Sequence, residues 1–200
     1  MYARRHKGMT LIEMVIAISI FSLIVLGVTV LFASLWRLQG FTMRLGLSSQ
    51  QATAAVTKMA DLIRDARQAD NGAYIIAAAT SSELTVYTDV DGDDAAERVR
   101  FFRDGSVIKM GVVEPTASVP VTYNTATETV TTIAKDVVDT TDGTPLFVYY
   151  DNANTALGAP PPVQDVRMVR ITVTVDTDPH APPEGVVISS FASLRNVREW

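Results

Sequence analysis

The residues best spaced for chemistry in this chain are acidic. Asp89-Val90-Asp91-Gly92-Asp93-Asp94 is followed shortly by Glu97. Asp89, Asp91 and Asp93 have the alternate spacing that opens an EF-hand loop, and carboxylates so spaced converge on one hard cation such as calcium. Asp89, Asp91, Asp93 and Glu97 are therefore a candidate calcium site, and no other cofactor is suggested. Two positions depart from the EF-hand pattern. Asp94 stands sixth, where that loop has Gly, and Arg100 stands twelfth, where it has Glu. The competing reading is a polar hairpin tip, with Asp and Gly serving turn geometry.

Other chemistries have little to draw on. The 200 residues include no cysteine, so there is no disulfide, thiolate metal site or cysteine nucleophile. His6 and His180 are the only imidazoles, too few for a multi-histidine zinc site within one chain. His180 lies between Pro179 and Ala181 in a proline-rich turn, the setting of a solvated side chain. No G-x-S-x-G, Walker loop or H-E-x-x-H occurs, so an enzyme has no candidate site. The net charge of −5 argues against nucleic acid as a partner.

A second constellation lies near the N-terminus. No charged residue occurs from Met14 to Trp36. Those 23 positions would span roughly 35 Å as a helix, enough to cross a bilayer. Arg4, Arg5 and Lys7 precede the run, while Arg37 and Arg44 are the first charges after it. The denser basic flank should stay cytoplasmic and the C-terminal bulk should be exported. The run is too long for a cleavable secretory signal, and no A-x-A-like site follows it. An uncleaved anchor fits length and charge but leaves Glu13, at the mouth of the run, without a reason.

Gly8-Met9-Thr10-Leu11-Ile12-Glu13-Met14-Val15 resembles the signal of type IV pilins and type II secretion pseudopilins. In that family a basic leader ends in Gly, a prepilin peptidase cuts after it and N-methylates the new first residue, and a glutamate stands fifth in the mature chain. The resemblance implies a cut between Gly8 and Met9, with Glu13 as the assembly residue. Met9 departs from the phenylalanine usual at the new terminus. Loss of Arg4, Arg5 and Lys7 would take the net charge from −5 to −8.

The remaining chain divides by periodicity. Ala52, Val56, Met59, Ile63 and Ala66 recur at spacings of four and three, which marks one apolar helix face. That face is expected to pack on a sheet. Asp70-Asn71-Gly72 is expected to end the helix, and Gly27, Gly40 and Gly46 are points where it could bend, unless they serve close helix packing in the membrane. Beyond Gly72 the period becomes two. Glu83–Thr88, Arg98–Arg103 and Ser106–Met110 read as strands, the last two joined by an Asp104-Gly105 hairpin turn. Val112–Val113, Thr129–Ala134 and Leu146–Tyr150 are weaker strand candidates, and Tyr149-Tyr150 should place at least one ring in the core. Asn154–Pro162 reads as a surface loop. In Val169–Asp176 the residues Val169, Ile171, Val173 and Val175 should be buried, with Arg170, Thr172, Thr174 and Asp176 wet. Asp178–Glu184 is a turn, and Gly185–Leu194 a final strand. Trp36 suits an interfacial anchor, whereas Trp200 points to no role.

This order, an α+β chain with a long N-terminal helix packed on a C-terminal antiparallel sheet, resembles the pilin fold. Residues 1–8 would be the leader, 9–36 the transmembrane and filament-core helix, and 37–200 the extracytoplasmic part. Arg167–Val173 and Ser193–Asn196 are similar to segments of J-type minor pseudopilins and minor pilins. The resemblance implies a structural subunit that is stored in the cytoplasmic membrane and then joins or initiates a pseudopilus or pilus. Its partners would be the prepilin peptidase, other pilin or pseudopilin subunits and the inner-membrane assembly platform. Two alternatives are an uncleaved anchored ligand-binding protein and a competence-pilus subunit contacting DNA, the latter disfavoured by the acidic charge.

Overall fold

The computed structural model describes residues 9–139, 143–176 and 185–196. Gly8 and the rest of the expected leader, His180 and its turn, and Trp200 lie outside the described residues. The chain forms two structural units, the first ending at Met43 and the second beginning at Arg44.

Helix α1 runs Leu11–Arg64, 54 residues, and is helical through Gly27, Gly40 and Gly46. In its first part, Leu11–Trp36 forms an apolar segment of 26 residues with no buried side chain. Ala52, Val56, Met59, Ile63 and Ala66 are all buried, as their spacing requires, and Ala55 and Ala60 join them. Gln51, Thr57, Lys58 and Asp61 on the other side are exposed.

The helix stops six residues before the expected Asp70-Asn71-Gly72. The Arg67 N–H donates to Tyr87 O at 2.8 Å, and Asn196 Nδ2 donates to Ala66 O at 3.0 Å. Both bonds replace helical partners with tertiary ones, so the chain leaves the helix while Ala66 and Ala69 stay buried. Asp70-Asn71-Gly72 is instead a separate turn, with Gly72 at φ 83° and its N–H on Ala69 O at 2.8 Å.

The strands form two antiparallel sheets. The first has β1 (Ile76–Ala79), β2 (Glu83–Thr88), β3 (Glu97–Asp104), β4 (Val107–Val113) and β5 (Thr129–Ala134) in sequential order. Val112–Val113, expected as a separate strand, continues β4 and pairs with β3. The second contains β6 (Val137–Val138), β7 (Phe147–Tyr150), β8 (Ala156–Leu157), β9 (Met168–Val175) and β10 (Val186–Ser193). Here β10 lines one edge of β9, while β7 and β6 share the other. The Asn154–Pro162 loop contains β8, which pairs Leu157 with Tyr149.

One hydrophobic core gathers Val56, Met59 and Ile63 of α1 with Leu84 and Val86 of β2, Phe101 of β3, Tyr149 of β7 and Ile171 of β9. The alternation expected in β9 holds on one face only: Val169, Ile171, Val173 and Val175 are buried, but so are Thr172 and Thr174. β9 is interior to its sheet, and strands on both edges leave short side chains little exposure. Tyr149 lies fully in the core with its hydroxyl donating to Thr80 O at 2.7 Å, and burial pushes its phenol up. Tyr150 stays at the surface side, its ring 6.3 Å from Phe191.

Candidate functional site

Two places carry the residues singled out by sequence. The first is the start of α1. Thr10 precedes the helix, and its Oγ1 accepts the Glu13 N–H at 3.3 Å. Thr10 is thus the N-cap and Glu13 the third helical residue, a carboxylate in the first turn where the helix dipole favours negative charge. Met9 and Glu13 are both exposed, and Glu13 makes no side-chain hydrogen bond or ion pair among the described residues. Within the apolar segment the hydroxyls of Ser19, Ser22 and Thr29 each donate at 2.8 Å to the carbonyl four residues earlier. Ser34 does the same at 3.0 Å. These bonds satisfy the hydroxyls inside the helix, as hydrocarbon surroundings demand.

The second place is the loop between β2 and β3. Asp89, Asp91, Asp93 and Glu97 bring one carboxylate oxygen each to within 4.8 Å of one another. Asp89 accepts the N–H of Gly92 at 2.6 Å and of Asp94 at 3.0 Å. The Gly92 bond leads in holding its carboxyl below the usual range, with the Arg67 charge adding to it. Asp93 accepts the Ala95 N–H at 2.8 Å. Glu97 is 1% exposed, and its Oε2 accepts the Val90 N–H at 2.6 Å. Burial first, then the charges of Glu114 and Asp91, push the Glu97 carboxyl up.

Residues outside the acidic run hold this loop in place. Asp70 accepts the Ala96 N–H at 3.0 Å, and the Tyr123 hydroxyl donates to Ala96 O at 2.7 Å. Arg67 Nη2 donates to Asp94 O. Tyr123 also packs on Tyr87, with ring centroids 5.0 Å apart.

Residues 3–29 match the prokaryotic N-terminal methylation motif, the prepilin-type signal of type IV pilins and pseudopilins. The chain carries a prepilin signal. No curated protein matches the chain. The prepilin signal supports a type IV pilin-like or pseudopilin-like protein, and the long apolar helix followed by antiparallel sheet is consistent with the pilin fold. It implies cleavage by a prepilin peptidase and assembly with other pilins, and it suggests anchoring in the inner membrane.

Met9 and Glu13 lie together at the start of the prepilin helix, and the four acidic residues lie together on one hairpin. Sequence reasoning missed Thr10 as a cap, although Thr-x-x-Glu before an apolar run is a recognised helix start. It also missed Arg67, Asp70 and Tyr123. No local signal joins those three, because the contacts span 26 to 27 positions.

Proposed function

We propose that this chain is a minor pilin-like, or pseudopilin, structural subunit, cut between Gly8 and Met9 and N-methylated at Met9. It then enters, or initiates, a type II secretion pseudopilus or a type IV pilus. The observation that carries this reading is the methylation motif over residues 3–29, which takes in the start of an apolar segment of 26 residues, Leu11–Trp36, with no side chain buried. A surface so wholly apolar needs lipid or neighbouring helices around it. The basic leader then lies in the cytoplasm and the β-rich unit outside. Cleavage creates an α-amine on Met9, and N-methylation keeps it charged. That amine is the natural partner for Glu13 of a neighbouring subunit once helices bundle away from water.

Co-expression with a prepilin peptidase tests the first step. Intact-mass measurement of the membrane fraction should show residues 1–8 removed and Met9 as a methylated terminus. An intact Met1 in an assembled filament overturns the reading. The acidic loop favours one other reading, an uncleaved anchored ligand-binding protein, which predicts no cut after Gly8 in the same experiment.

A further inference from the structure

The hairpin loop that opens with Asp89 is built around an electrostatic deficit. Four carboxylates converge within 4.8 Å, and like charges so close repel strongly. The repulsion is not relieved by exposure at its inner end. Glu97 Oε1 is buried and has no hydrogen-bond partner among the described residues, although Oε2 of the same group is bonded. A buried carboxylate oxygen left without a donor is costly, and a cation is the partner that its position beside three aspartates invites.

The loop conformation points the same way. Asp94, sixth from Asp89, adopts φ 68°, the left-handed conformation that Gly supplies at the sixth position of an EF-hand loop. The absence of Gly there is therefore no obstacle to the turn. Glu97, the first residue of β3, stands ninth and faces back toward the aspartates. Arg100, twelfth, is engaged with Glu128 at 2.6 Å and supplies no ligand. All four donors are carboxylate oxygens, which select a hard cation over a transition metal.

We propose that Asp89, Asp91, Asp93 and Glu97 bind one calcium ion, with the buried Glu97 as the inner ligand and Arg67, Asp70 and Tyr123 as positioning residues. Without a bidentate twelfth-position glutamate, the site belongs with weak extracellular modules, with Kd roughly 10⁻⁴–10⁻³ M. Calcium fits better than magnesium because the set is all protein carboxylate, and magnesium prefers to keep several waters.

The test uses the full-length chain in detergent micelles, stripped with chelator, then titrated calorimetrically with CaCl₂ and separately with MgCl₂. One calcium per chain should bind in that affinity range and raise Tm by mass action, with magnesium at least about tenfold weaker. Asp91→Asn, at an exposed position, and Glu97→Gln, of the same shape, should each weaken calcium binding at least about tenfold. Glu97→Gln should also melt no lower than the wild-type chain in the absence of calcium, because it removes a repelled charge; that separates lost binding from lost folding. The proposal is overturned if about 10 mM calcium leaves the wild-type Tm unchanged, or if Glu97→Gln binds calcium as tightly as wild type. Equal response to magnesium would refute the choice of calcium.

Discussion

At the scale of single residues, charge burial decides what each carboxylate does. Glu128 illustrates a satisfied one. It accepts Arg100 Nε at 2.8 Å and Nη2 at 2.6 Å, a two-point contact with its side chain only 14% exposed. Arg100 also lies 3.9 Å over the Phe102 ring. Gly111 leaves room for this pair, because an added Cβ there would overlap the Glu128 carboxylate and push it aside. The hydrogen bonds from Arg100 hold the Glu128 carboxyl below its ordinary 4.5. A carboxyl depressed on folding stabilises the folded state above its unfolded pKa, and that contribution disappears as pH falls through the folded value. Glu128→Gln should therefore lower stability at pH 7 by roughly 1–3 kcal/mol. Urea melts of the two proteins should converge as the pH falls through the folded value of Glu128, below which both lack the charge. A constant difference across the acid range would show that the charge is not the cause.

Glu13 is the opposite case, a carboxylate at the edge of an apolar surface with nothing beside it among the described residues. The Thr10 cap uses the Glu13 backbone and not its side chain. Glu13→Val should thus leave the helix start intact, apart from about 0.3–1 kcal/mol of dipole interaction. It should still insert and be cleaved, yet fail to co-purify with other filament subunits. Equal incorporation of the variant would refute an intersubunit role for Glu13, or place this subunit at the tip, where no neighbour lies ahead.

At the scale of elements, α1 meets two environments along 54 residues. Its apolar segment is exposed on every side, and its hydroxyls are satisfied internally. Farther on, one face is buried in the core and the other is polar. Ile63→Ala would leave a cavity among core side chains and should cost about 2–5 kcal/mol. Lys58→Ala on the exposed face should change stability by less than about 0.5 kcal/mol. Chemical denaturation of both variants checks the difference. Comparable losses would mean that the face buried here is not the one that carries the packing.

At the scale of the molecule, the hydrophobic core begins at Ala52, and every described side chain from Met9 to Trp36 is exposed. Removing residues 1–36 therefore deletes no core side chain among the described residues. The remaining fragment should be soluble and monomeric, which sedimentation without detergent would show. Retention in the membrane fraction would mean that residues after Trp36 also anchor the chain.

Much of this was legible locally. The uncharged run is contiguous, so composition alone identifies it, and the methylation motif is read from the local resemblance of Gly8–Val15 to the prepilin signal. The helix stripe from Ala52 to Ala66 is equally local, as are β2 and β5, whose bounds coincide with their expected spans. The hairpin joining β3 and β4 was signalled by Asp104-Gly105, but its register was not: Asp104 ends β3 paired with Val107, and the two turn residues are Gly105 and Ser106. What depends on distant partners was not legible. The end of α1 at Arg64 follows from Tyr87 and Asn196, which capture the backbone around Ala66. The division of the strands into two sheets follows from β9, which takes β10 on one edge and β6 with β7 on the other. The acidic loop shows both contributions at once. Its carboxylates are adjacent in sequence, so their types and spacing were readable. Their convergence and the burial of Glu97 depend on β3 entering the sheet and on Arg67, Asp70 and Tyr123 gripping the loop. A local pattern can name the groups; only packing decides which of them loses its water and needs a partner.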